Sequence, residues 1–78
     1  MRVYKYYPVE EELKTEEGES YITWGLEIIL EEDDGNTLLG KVSDVSLDYE
    51  KLNDFSKVLT NNNVRPDYIS ELIEDFIG

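Results

Sequence analysis

Between Tyr21 and Glu31 the chain reads Y-I-T-W-G-L-E-I-I-L-E, with Ile22, Trp24, Leu26, Ile28 and Leu30 apolar at every even position. The odd positions, Tyr21, Thr23, Gly25, Glu27, Ile29 and Glu31, are mostly polar or small. A period of two over a full strand length, rich in β-branched and aromatic residues, predicts a central strand. Its even face is expected to be the floor of the core, with Trp24 at the middle.

The same pattern extends to both sides. Arg2 to Leu13 predicts a first strand with Val3, Lys5, Tyr7, Val9, Glu11 and Leu13 in one row and Tyr4 and Tyr6 opening the other. Pro8 has no N–H to give to a ladder, which sends this strand to a sheet edge or puts a bulge at Pro8. Thr15 to Ser20 is a turn in which Gly18 can take a positive φ. Asp34-Gly35, within Glu31 to Asn36, signals a hairpin. Thr37 to Val45 predicts a third strand in which Leu38, Gly40 and Val42 share a row. Val45 falls in the opposite row, so either a bulge re-aims the chain near Ser43-Asp44 or the strand ends at Val42.

Beyond Ser46 the period changes to that of a helix. Ser46 or Asp48 can accept from free backbone N–H groups, and Leu52, Phe55, Val58 and Leu59 then recur on one face. Asn61-Asn62-Asn63 stops this helix, because Asn tolerates the left-handed cap conformation. Pro66 fits the first position of a second helix, whose stripe is Ile69, Leu72, Ile73, Phe76 and Ile77. The expected fold is α+β: a three-stranded antiparallel meander followed by an αα-hairpin packed on one sheet face, in a single domain over residues 1–78.

The chain from the middle strand onward carries Trp24-Gly25-Leu26-Glu27-Ile28, then Val42-Ser43-Asp44-Val45-Ser46-Leu47-Asp48, then Pro66-Asp67-Tyr68-Ile69-Ser70-Glu71-Leu72-Ile73-Glu74-Asp75-Phe76. With these spacings it resembles a family of small acidic bacterial proteins, of Firmicutes type, whose function is unknown. The resemblance implies an α+β domain ending in a helix pair, and it implies no activity.

Composition narrows the chemistry. With no cysteine and no histidine, the chain has no thiolate ligand or nucleophile, and it lacks the commonest general base. No apolar run approaches the ~20 residues that span a bilayer, and the N-terminus has no signal-peptide pattern, so a cytoplasmic location is expected. The net charge of −12 repels nucleic-acid phosphates and anionic membranes and attracts a basic partner.

No stretch completes a catalytic or metal-binding motif. Aligning Gly35 to the glycine of a calcium-binding EF-hand loop puts Leu30 and Lys41 where acidic ligands belong, so Glu31 to Asn36 is better read as a hairpin tip. The serines have no histidine base and no G-x-S-x-G context, and the glycines form no phosphate loop. No enzymatic activity and no cofactor is expected.

Tyr4, Tyr6, Tyr7 and Tyr21 are more aromatic residues than so small a core needs. If the helices cover one face only, some of them lie on the other, where tyrosine adds binding area at low entropy cost. The acids are biased to the N-terminal part, and Glu10, Glu11, Glu12, Glu16, Glu17, Glu19, Glu31, Glu32, Asp33 and Asp34 are expected to fall on neighbouring strand ends. With Tyr4, Tyr6 and Tyr21 they form the expected partner-binding set. The expected function is a non-enzymatic acidic protein-binding module, an inhibitor or regulator docking on a basic protein surface. Its sharpest form is a nucleic-acid mimic of the phage anti-restriction or anti-CRISPR class, acting on a nucleic-acid-binding protein. The competing reading is a self-associating structural domain, a homodimer formed through the open sheet face or an edge strand.

Overall fold

The computed structural model describes residues 1–78. Strands β1 (Val3–Lys14), β2 (Ser20–Glu32) and β3 (Gly35–Ser46) are followed by helix α1 (Tyr49–Asn61), a 3-10 turn (Pro66–Tyr68) and helix α2 (Ile69–Ile77). The strands form an antiparallel sheet in the order β1-β2-β3. The expected βββαα architecture is the observed one. No helix is long and apolar enough to cross a membrane.

Strand register decides which residues meet the helices. Tyr6 pairs with Ile28, Pro8 with Leu26 and Glu10 with Trp24, so the even rows of β1 and β2 share a face. Tyr6, Leu26 and Ile28 on that face pack with Val45, Leu52, Leu59, Ile69 and Ile73 as one core. Tyr7 and Tyr21 lie on the opposite face, so the four tyrosines divide two and two. Tyr6, expected at a partner surface, is instead a core residue 2% exposed. Its hydroxyl donates to the Val64 carbonyl oxygen at 2.6 Å, and burial pushes its pKa up to about 12, with Tyr4 adding to the shift.

The helices cover only part of that face. At ~1.5 Å per residue, the 13 residues of α1 span ~20 Å. At ~3.3 Å per residue, the 13 residues of β2 span ~43 Å. The uncovered remainder includes Ile22, which is 49% exposed, and Trp24 lies at its border, packed at the margin of the core. The expectation that Trp24 sits at the core's centre is therefore corrected: that place belongs to Leu26 and Leu52, both with no exposed area. On α1 the buried face runs Leu52, Ser56, Leu59 rather than through Val58, and the Ser56 hydroxyl is satisfied by donating to the Asn53 carbonyl at 2.7 Å. Ile77, expected in the α2 stripe, is exposed.

Caps and turns follow local chemistry. Asp48 caps α1 by accepting from the Lys51 N–H at 3.2 Å, and Asn63 takes a φ of 48° just past its end. Gly18 has a φ of 88°. In the β2–β3 turn the two tip residues are Asp33 and Asp34, with Glu32 paired to Gly35, one position earlier than the Asp34-Gly35 signal predicts.

β3 is irregular in two places. Trp24 and Leu26 pair with Ser46 and Val42, so Ser43, Asp44 and Val45 lie opposite Gly25 alone. This is the bulge expected near Ser43-Asp44. Asp44 takes a φ of 54° there, and the re-aimed chain buries Val45 in the core. Leu39 is a second extra residue, between the Ile28–Gly40 and Ile29–Leu38 pairs.

Candidate functional site

A meander places its two turns at opposite ends of the sheet, and the molecule is 46 Å long. The acids of the β1–β2 turn and those of the β2–β3 turn are therefore two poles. This corrects the expectation that they would lie on neighbouring strand ends.

The poles differ in how far their charge is neutralised. At the β2–β3 pole, Asp33 lies 3.4 Å from the Met1 ammonium. Glu32 lies 3.5 Å from Arg2, and Glu31 is 3.1 Å from Lys5. The Lys5 pKa is raised by its hydrogen bond to Glu31 and that residue's charge. Of the four acids here only Asp34 has no basic partner.

The β1–β2 pole is an arm. β3 pairs with β2 no further than Trp24, so β2 from Ser20 to Thr23 has β1 alone as a ladder partner. Glu12, Glu16, Glu17 and Glu19 lie exposed on this arm, and Glu10 lies exposed at its root. None of the five belongs to any of the molecule's ion pairs, and the arm's single base is Lys14. Thr15 shapes the turn: its N–H donates to the Glu19 carbonyl at 2.8 Å and its carbonyl accepts from Gly18 at 3.0 Å.

Glu11 is set apart from its neighbours. Its side chain is only 8% exposed and lies 3.1 Å from Lys41 Nζ. It crosses β2 over Gly25 to accept the Asp44 N–H at 2.8 Å and the Ser43 hydroxyl at 2.9 Å. A Cβ at Gly25 would stand 2.7 Å from Glu11 Oε1 and 2.7 Å from the Val42 carbonyl oxygen, so glycine is what admits the crossing. Asp44 extends the network by accepting from Thr23 Oγ1 at 2.7 Å and from the Tyr21 hydroxyl at 3.1 Å. Partial burial raises the Tyr21 pKa, and its bond to Asp44 adds to this.

The Asp44 N–H holds the Glu11 carboxyl below the usual range against partial desolvation, with Lys41 and Ser43 assisting. A carboxylate held charged in this way is a weak base for the Ser43 hydroxyl. The cluster ties the bulge of β3 to the root of the arm. Glu11 and Tyr21, expected at the partner surface, are thus occupied within the molecule. Tyr4 packs against the core, and its N–H donates to Asn63 Oδ1 at 2.6 Å.

A family profile matches residues 2–78. The chain belongs to DUF6514, a family of unknown function. No curated protein matches it, and no solved structure does.

Two features of this DUF6514 chain escaped sequence reasoning, the Glu11–Asp44 crossing and the unequal neutralisation of the poles. The first left a trace: a glutamate in the mostly apolar odd row of β1 and a glycine inside β2. The second depends on the register that sets the start of β1 opposite the end of β2, which alternation along each strand does not specify. The largest recess, about 320 Å³, is lined by Val45, Leu47, Phe76 and Ile77 with Ser46, Asp48 and Lys51.

Proposed function

We propose that this protein is a non-enzymatic binding module that captures a basic protein surface with its β1–β2 arm. The observation carrying this reading is the set of five exposed, unpaired glutamates, Glu10, Glu12, Glu16, Glu17 and Glu19, on a hairpin anchored at its root by Asp44. Charge of one sign on a projecting element raises the rate of encounter with an oppositely charged partner. An inhibitor or regulator that occupies the nucleic-acid groove of its target is the sharpest form of the proposal, since carboxylates on a rigid ladder can stand where phosphates bind. Affinity capture from the native host tests it, with the five glutamates changed to Gln as control. Basic proteins retained by the parent and lost by the variant, and displaced by duplex DNA in the sharpest form, are expected. Identical capture by both chains overturns the reading.

A second reading is favoured by a different observation. The odd face of the sheet, with Val3, Val9, Tyr7, Ile29 and Leu38, has no helix over it. Both sheet edges are guarded. The outward N–H groups of Tyr4 and Tyr6 are taken by Asn63 and Thr60, Pro8 has none, and β3 is bulged twice. Self-association would therefore use the face and not an edge. Sedimentation at several concentrations and salts distinguishes the readings, because apolar self-association persists in high salt whereas acidic capture weakens.

A further inference from the structure

Where the arm leaves the helices, two aromatic rings meet: Trp24 of β2 and Tyr49 at the start of α1, with centroids 4.6 Å apart and planes inclined by 54°. Tyr49 is 43% exposed, and Ile22 follows it toward the arm's tip. Glu10 pairs with Trp24, and Glu12 with Ile22, on this same face. Asp48 and Glu50 flank Tyr49 in the chain, the Asp48 carboxylate accepting the Lys51 N–H as the α1 cap, and the nearby bases are Lys51 in the chain and Lys14 beyond Glu12 in the same row of β1. An exposed tyrosine leaning on a partly covered tryptophan, with Glu10 and Glu12 on the same sheet face, matches a particular cation. A guanidinium is planar and weakly hydrated; it can lie on an aromatic face while its edge N–H groups reach carboxylates. An ammonium is a compact, strongly hydrated point charge and gains less from the rings.

We propose that the Trp24–Tyr49 corner is an arginine-recognising dock, so that the basic partner presents an arginine side chain there while the arm's glutamates engage its other cations. This rests on the reading of the arm as a basic-surface binder, and the test separates the two. Trp24 is the only tryptophan, so its fluorescence reports the corner directly. Nona-arginine and nona-lysine peptides are titrated into the protein at low salt, with Tyr49→Leu and Tyr49→Phe variants alongside. The parent is expected to bind the arginine peptide about two- to five-fold more tightly, the size of one exposed cation–π contact, with a change in Trp24 emission specific to arginine. Tyr49→Leu should erase that preference and leave lysine binding unchanged, while Tyr49→Phe, which keeps the ring, should retain it. Equal affinities with unchanged Trp24 emission overturn the dock and leave the arm's role standing. No binding of either peptide overturns both. If Tyr49→Leu alters the sedimentation coefficient and not peptide affinity, the corner is a contact between copies and the proposal is wrong. Tyr49 lies in the first turn of α1, and far-UV circular dichroism checks that both variants keep the fold.

Discussion

Glu11 of β1 and Asp44 of β3 are joined across the full width of β2, the carboxylate of the first accepting the backbone N–H of the second at 2.8 Å. The crossing exists because position 25 has no side chain. Gly25→Ala inserts a methyl group where Glu11 Oε1 and the Val42 carbonyl each stand 2.7 Å away, and one of the two neighbours is backbone. A loss of about 1–3 kcal/mol is expected, the range for overpacking, measured as a fall in the urea midpoint with unchanged slope.

The same contact sets an acid dependence. The Glu11 pKa is depressed in the folded state, so its contribution is complete above the unfolded value of ~4.3 and is lost as pH falls through the folded value. Stability measured from pH 6 downward should fall less steeply for Glu11→Gln than for the parent. Parallel curves would mean that the carboxylate is not held as described.

Tyr6 sets the alkaline limb. Its pKa is raised to about 12 against ~10 unfolded, so its contribution is complete below pH ~10 and is lost as pH rises through the folded value. Tyr6→Phe deletes the hydrogen bond to Val64 at a cost of about 1–2 kcal/mol at neutral pH. It should also flatten the decline between pH 10 and 12, read by chemical denaturation at stepped pH.

Core position ranks two large residues against expectation from size. Leu52 has no exposed area, and Leu52→Ala should cost about 2–5 kcal/mol. Trp24→Ala, at the core's margin, should cost less despite the larger side chain. Thermal unfolding of the two variants gives the order.

How much of this could be read from residue order depends on the element. The three strands, the caps at Asp48 and Asn63 and the bulge at Ser43-Asp44 follow from local pattern, because each is set by a run of neighbours. Val45 even announced the bulge by falling in the wrong row. The placing of Trp24 and Ile22 did not follow, because alternation marks a face without saying how far the helices reach along it. A helix residue advances less than half as far as a strand residue, and that mismatch leaves the arm bare. Glu10, Glu11 and Glu12 are expected together at the partner surface, yet the pleat sends Glu10 and Glu12 to one face and Glu11 to the other. The pairing of Met1, Arg2 and Lys5 with the acids of the β2–β3 turn joins residues about 30 apart and is set by strand register.

The central claim is that the β1–β2 arm carries the charge that finds the partner. Surface plasmon resonance against the captured partner, at low and physiological salt, tests it with three charge-removal sets: Glu10, Glu12, Glu16, Glu17 and Glu19; Glu31, Glu32, Asp33 and Asp34; and Glu71, Glu74 and Asp75, each changed to Gln or Asn. Screening within ~8–10 Å makes such attraction salt-sensitive. The arm set is predicted to slow association most and to flatten its salt dependence, the β2–β3 turn set to act less because three of its acids are already paired, and the helix set to act least. Unchanged association for the arm set, with binding lost in the helix set, would contradict the account.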